Sequence, residues 1–189
     1  GVDTPDFGHL LAGMMFAADQ PVPLSGFLLP RIEVEFAFFL ASDLPSAGCT
    51  TADVIAATES VAPCLELIDS RIENWRIGLL DTVADNASSA AVVLGDRRIA
   101  LADVDLTDLG ATLTINGETA ATGSTADVVA GPAGAVAWLA NAVGAYGVRL
   151  EAGHVVLSGS CTRAIDVAPG DIAVATFDGL EPLSVRFAD

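Results

Sequence analysis

Six residues, Arg31-Ile32-Glu33-Val34-Glu35-Phe36, alternate polar and apolar without a break. A period of two is the geometry of an extended strand, so Arg31, Glu33 and Glu35 leave one face and Ile32, Val34 and Phe36 the other. Phe38-Phe39-Leu40 carry the strand on into the core. The same reading finds strands at Cys64–Ile68, where Glu66 faces away from Leu65 and Leu67, at Ala90–Leu94, His154–Leu157, Ile172–Phe177 and Leu183–Phe187. Leu113 to Ile115 followed by Asn116-Gly117 is the strongest hairpin signal in the chain.

Helices are few. Residues Gly8–Ala17 are apolar and helix-compatible up to Pro21 and Pro23, and Thr51 with Asp53 starts a short capped helix that Pro63 is expected to end. The clearest helix begins at Pro132, carries Val136, Leu139, Ala140 and Val143 on one face, and takes Gly147 as its terminating residue. Short strands outnumber helices and do not alternate with them, which predicts an α+β, strand-dominated fold. No repeat or low-complexity linker divides the chain, so residues 1–189 are expected to form a single domain.

Composition narrows the function. With 8 Lys+Arg against 25 Asp+Glu the net charge is −17, the opposite of what a phosphate backbone attracts, so a nucleic-acid partner is excluded. All 8 cations are Arg, so Schiff-base chemistry and a P-loop lysine cannot be built from these residues. At 52% hydrophobic and 17% charged the chain is too apolar for disorder, yet no run reaches the ~20 apolar residues of a spanning helix. A soluble, cytoplasmic protein with no membrane partner is expected. Cys49, Cys64 and Cys161 lack CxxC spacing, and with only His9 and His154 beside them a zinc site is not indicated. A metal here has to be held by oxygen, which selects Mg²⁺ or Mn²⁺.

The acids that could do so are legible from the strands. Glu33 and Glu35 are two residues apart on one face, with origins about 7 Å apart at ~3.3 Å per residue. Such carboxylates repel unless a divalent cation sits between them and a third acid completes the set. Glu66, held among residues that favour burial, is the best third ligand, although Arg71 can serve as its partner instead. The competing reading makes Glu33 and Glu35 the wet face of an edge strand. Ser160, in Gly159-Ser160-Cys161-Thr162, does not fit a GxSxG nucleophile elbow and reads as a turn residue or a donor to an anionic ligand. His9 is expected to pack beside Phe7, Cys64 and Cys161 to be buried apolar residues, and Asp85-Asn86 to be a turn.

Several motifs together, Gly1-Val2-Asp3-Thr4-Pro5-Asp6-Phe7-Gly8, Pro30-Arg31-Ile32-Glu33-Val34-Glu35, Leu65-Glu66-Leu67-Ile68-Asp69-Ser70-Arg71 and Asp85-Asn86-Ala87, closely resemble the 2-keto-4-pentenoate hydratases of the fumarylacetoacetate hydrolase superfamily. The resemblance runs essentially the whole length. Gly159-Ser160-Cys161-Thr162-Arg163-Ala164-Ile165-Asp166 looks particularly like the hydratases of actinobacterial steroid and aromatic-ring degradation. The resemblance implies the superfamily's mixed β-sandwich roll, with Glu33, Glu35 and Glu66 as ligands of Mg²⁺ or Mn²⁺. It implies proton transfer by Asp6, a catalytic role for Glu35 through the metal, and substrate contacts at Ser160, Asp85 and Arg71.

The implied reaction adds water to 2-hydroxypenta-2,4-dienoate to give 4-hydroxy-2-oxopentanoate. A small 2-oxo or 2-hydroxydienoic acid is the expected partner, in a homo-oligomer that can associate with a neighbouring pathway enzyme. Two alternatives stand beside it: a metal-dependent 2-oxo acid decarboxylase of the 4-oxalocrotonate type, and a non-catalytic scaffold subunit. The sequence opens at Gly1 rather than Met, and the expectation is that a natural N-terminal segment, carrying the family's active-site Lys, lies upstream.

Overall fold

The computed structural model describes residues 5–189; the part of the first motif that falls on Gly1–Thr4 lies outside them. Strands in chain order are β1 (Met15–Ala17), β2 (Val22–Pro23), β3 (Arg31–Leu40), β4 (Thr58–Ile68), β5 (Ser89–Leu94), β6 (Ile99–Ala100), β7 (Gly110–Ile115), β8 (Glu118–Ser124), β9 (Val155–Leu157), β10 (Ile165–Asp166), β11 (Ile172–Phe177) and β12 (Leu183–Ala188). The α-helices are α1 (Thr51–Ala57), α2 (Leu79–Ala84) and α3 (Pro132–Gly144). A seven-stranded sheet runs β1-β5-β4-β3-β10, with β6 added to β4 and β9 to β3, and a five-stranded sheet runs β2-β12-β11-β7-β8. The strand-dominated reading holds, and the two sheets pack as layers.

The long antiparallel pair β3–β4 organises the molecule. Its register places Ile32 opposite Leu67 and Val34 opposite Leu65, and these side chains point into the main core together with Phe36 and Phe38. Leu113, Phe177, Val185 and Phe187 of the second sheet meet them, with the Phe36 and Phe177 ring centroids 4.4 Å apart. The other face of β3 and β4 has a smaller apolar cluster, Ala37, Phe39, Ala62, Cys64 and Val92. Burial on both faces explains why the alternation of Arg31–Phe36 gives way to an uninterrupted apolar run. Phe36 is fully buried between the layers. Phe36→Ala is expected to cost about 3–5 kcal/mol in urea denaturation, and a loss below ~1 kcal/mol would mean the sheets do not pack through this ring.

The predicted hairpin forms as expected: Asn116 and Gly117 take φ of 52° and 85° between β7 and β8, with Ile115 paired to Glu118. Helix α3 starts with Pro132 in its first turn, and Gly147 takes φ 76° just beyond its end.

Three local expectations are corrected. Gly8–Ala17 is not a helix: a 3₁₀ turn at Ala12–Met14 leads into β1, which pairs in parallel with β5. The His9 N–H, which a helix would satisfy internally, is bonded instead to Asn86 Oδ1 at 2.7 Å, and Gly8 and Gly13 weaken helical propensity. The hydroxyl that caps α1 belongs to Thr50, which receives the Asp53 N–H while the Asp53 carboxylate receives the Thr50 N–H at 2.8 Å. Pro63 does not end that helix but sits inside β4, opposite Phe36. Its carbonyl accepts from Gly95, so the N–H it lacks would have faced the gap between the end of β5 and the start of β6, where no ladder bond is forfeited.

Candidate metal centre and active-site cavity

On the face of β3–β4 turned away from the sandwich core, the register sets Glu33 directly opposite Glu66 and Glu35 opposite Cys64. The three glutamates therefore share one patch, and carboxylate oxygens from each lie within 4.8 Å of one another. This is the convergence that the strand-face argument anticipates. The wet-edge alternative does not hold, because β3 is central in its sheet and Glu35 is only 2% exposed.

Secondary contacts orient the carboxylates. Gly159 N–H donates to Glu35 Oε2 at 2.9 Å, and Ser89 Oγ donates to Glu66 Oε1 at 2.6 Å. Charge balance is not supplied by the nearby cations. Arg31 is bonded to Asp166 at 2.7 Å and lies 4.5 Å from the Trp75 ring centroid, while Arg71 is paired with Asp85 at 3.0 Å. Burial, then the charges of Glu66 and Asp6, push Glu33 up to about 8. Burial followed by the Glu66 and Glu33 charges drives Glu35 well above the usual carboxylate range, and burial also raises Glu66. Three acids with raised pKa, Glu35 buried and Glu33 and Glu66 half-buried, form an oxygen-only donor set that fits a hard divalent cation of the Mg²⁺ or Mn²⁺ kind. Burial likewise raises the Cys64 thiol well above its ordinary value and Cys161 to about 12, so neither is a poised nucleophile.

The cluster opens into a cavity of about 990 Å³. The segment from Pro5 to Ala12, the turn at Ala87–Ser89, Trp75 and Ile77, and the Trp138 side of α3 wall it, with Phe7 and Trp138 meeting edge to face at 6.3 Å. Gly8 is required in this wall: a Cβ there would come within 2.1 Å of the Asn86 carbonyl oxygen. Asp6 lines the cavity and accepts a hydrogen bond from Thr82 Oγ1 at 2.7 Å.

The remaining sequence candidates are placed as follows. Ser160 lines the cavity, but its hydroxyl donates to the Thr162 carbonyl at 2.6 Å. Arg71 and Asp85 are not on the cavity wall; besides its ion pair, Asp85 accepts the Arg71 N–H at 3.0 Å, and Arg71 Nη1 donates to the Asp69 carbonyl at 2.7 Å. Arg71 is thus not the partner of Glu66. Sequence reasoning missed Thr82 and Ser89, whose roles rest on contacts across 76 and 23 residues, and took Asn86, which reaches across 77 residues to His9, only as a turn and motif residue. Only Ser88-Ser89, small polar residues ahead of an apolar strand, offered a visible hint.

This architecture is that of a known enzyme family. The model of the fumarylacetoacetate (FAA) hydrolase C-terminal family matches residues 4–188, and the chain belongs to that family. Within it, the chain is 43% identical to a 2-hydroxyhexa-2,4-dienoate hydratase of Comamonas testosteroni over 100% of its own length and 72% of that protein's. It is 41% identical to a 2-keto-4-pentenoate hydratase of Burkholderia vietnamiensis, again over 100% and 72%. Among solved structures, a 4-oxalocrotonate decarboxylase from Pseudomonas putida G7, complexed with magnesium and adipate, superimposes with TM-score 0.94 at 38% identity, covering 98% of this chain and 70% of that one.

Proposed function

We propose that this protein is a metal-dependent hydro-lyase that adds water to 2-hydroxypenta-2,4-dienoate or a close homologue, giving the corresponding 4-hydroxy-2-oxo acid. The observation that carries the reading is the Glu33–Glu35–Glu66 cluster lining a largely apolar cavity, with Asp6 on the same wall. The named hydratases that it resembles at 43% and 41% identity support the choice of reaction. A soluble cytoplasmic setting, a homo-oligomeric state and a role in the breakdown of aromatic rings or steroids belong to the same proposal.

Glu33, Glu35 and Glu66 would hold the Mg²⁺ or Mn²⁺ ion. When bound, such an ion supplies Lewis-acid stabilisation of negative charge on the substrate carboxylate and the oxygen at C2. The protein's own residues do the rest. The 2-hydroxyl loses its proton as C5 gains one, which converts the dienol to a 2-oxo-3-enoate; water then adds at C4 while C3 is protonated. Asp6 carries a proton in these steps, being a wall acid close enough for its charge to act on Glu33 and Glu66. Phe7, Trp138 and the apolar walls give the substrate a low-dielectric surface, which strengthens the charge interactions beside it.

Product analysis tests the reading. With the dienoate and Mg²⁺ the expected result is a product heavier by one water, abolished by a chelator and restored by added Mg²⁺. A second reading, decarboxylation of 4-oxalocrotonate, is favoured by the TM-score of 0.94 to the decarboxylase structure. Loss of CO₂ from 4-oxalocrotonate, with no hydration of the dienoate, would replace the hydratase reading.

A further inference from the structure

Thr82 is a buried hydroxyl that the reaction as written does not use. It sits on α2, a helix of six residues whose apolar side chains Leu79, Leu80 and Val83 are exposed and whose one buried residue is Thr82 itself. Hydrophobic packing therefore does not explain why this helix turns that position inward. A threonine hydroxyl on a helix commonly bonds back to a carbonyl of the preceding turn. Thr82 Oγ1 donates instead to Asp6 Oδ2 at 2.7 Å, across 76 residues of sequence.

Main-chain clamps complete the attachment. Asn86, two residues beyond the end of α2, brackets His9 on both sides: its Oδ1 receives the His9 N–H at 2.7 Å and its Nδ2 donates to the His9 carbonyl at 3.0 Å. The missing Cβ of Gly8 permits that approach. The α2–Asn86 unit thus grips the Asp6 segment by backbone at one point and by side chain at another, on the wall that faces the carboxylate cluster.

We infer that Thr82 is a positioning residue: its hydroxyl fixes one carboxylate oxygen of Asp6 and so sets the direction from which Asp6 exchanges a proton with the substrate. The inference rests on the role proposed for Asp6. A carboxylate free to rotate would still balance charge, but it would lose the alignment on which proton transfer depends.

The test uses the full chain with Mg²⁺ and 2-hydroxypenta-2,4-dienoate. Thr82→Val, nearly the same shape without the donor, is expected to lower kcat roughly 10- to 100-fold while KM and the Mg²⁺ dissociation constant stay within about threefold. Thr82→Ser is expected to recover kcat to within about threefold of wild type. In the Asp6→Asn background, Thr82→Val is expected to cost nothing further, because the group it acts through is already gone. Should Thr82→Val not fold, Thr82→Ala with the same Asp6→Asn comparison gives the answer.

A Thr82→Val enzyme with wild-type kcat, or a loss that multiplies with that of Asp6→Asn, overturns the inference while leaving the hydratase reading intact. A wild-type enzyme that does not hydrate the dienoate, or Asp6→Asn with unchanged turnover, overturns the parent reading and this inference with it.

Discussion

Replacing Glu35 by Gln is expected to lower kcat at least about 1,000-fold, the loss of ~4 kcal/mol of transition-state stabilisation. The substitution keeps the shape of the side chain, and the amide oxygen can still accept the Gly159 N–H that Glu35 receives at 2.9 Å. What disappears is one negative charge from a cluster with no cation paired to it among the described residues. Mg²⁺ affinity falls with it, because a neutral amide is a far poorer ligand for a hard cation than a carboxylate. The same change relieves repulsion with Glu33 and Glu66 and removes a charge that is costly to bury. The metal-free variant is therefore expected to melt at the same temperature as the wild-type protein or higher. Lost turnover with undiminished thermal stability would separate a functional acid from a structural one. Turnover within tenfold of wild type would sink the assignment of Glu35 to the metal centre, whatever the melting temperature.

The contrast between what the sequence made legible and what it did not follows from the range of the interactions. Arg31–Phe36 announces its strand because the period of side-chain direction is local, and Glu33, Glu35 and Glu66 inherit their common face from that same period and from an antiparallel pairing. Whether that face is wet or lines a site is not local. It is decided by the layers that cover it, the segment after Pro5, the turn at Ala87–Ser89 and α3, none of which is close to β3 in sequence.

The same limit explains Gly8–Ala17, whose apolar composition is compatible with a helix but where hydrogen bonds between His9 and Asn86, 77 residues away, hold the chain out of one. Pro63 looks locally like the end of a helix, and its place in the gap between β5 and β6 depends on a neighbouring strand that ends one residue earlier. Motif resemblance singles out Asp6, which no pattern of hydrophobicity does and which lies on the cavity wall. It placed Arg71 and Asp85 among the substrate contacts, whereas the structure shows them paired with each other away from the cavity wall.

Metal affinity is expected to depend steeply on pH, and in a direction the raised carboxylates determine. Glu33, ordinarily near 4.5, titrates at about 8 in the folded protein without metal, with Glu35 and Glu66 also raised. A cation must displace whatever proton the cluster holds. Well below pH 8 each unit of acidification therefore weakens Mg²⁺ binding about tenfold for each proton displaced, so the apparent dissociation constant is expected to rise about 50-fold between pH 8 and pH 6 from Glu33 alone, and further with each additional proton displaced.

Stability follows with the opposite sign in the metal-free protein. A carboxyl whose folded pKa lies above its unfolded value favours folding when protonated, and that contribution is progressively lost as pH climbs from about 4.5 towards 8. Metal-free protein should thus become less stable across this window while the stabilisation gained from saturating Mg²⁺ grows, because the ion replaces the departing protons as the neutralising charge. Thermal unfolding with and without Mg²⁺ at pH 6 and pH 8 measures both. A Mg²⁺-induced rise in melting temperature clearly larger at pH 8 is expected; equal shifts at the two pH values would mean that the ion binds somewhere other than among Glu33, Glu35 and Glu66, and the same experiment on Glu35→Gln, where the shift should all but vanish, identifies the carboxylates responsible.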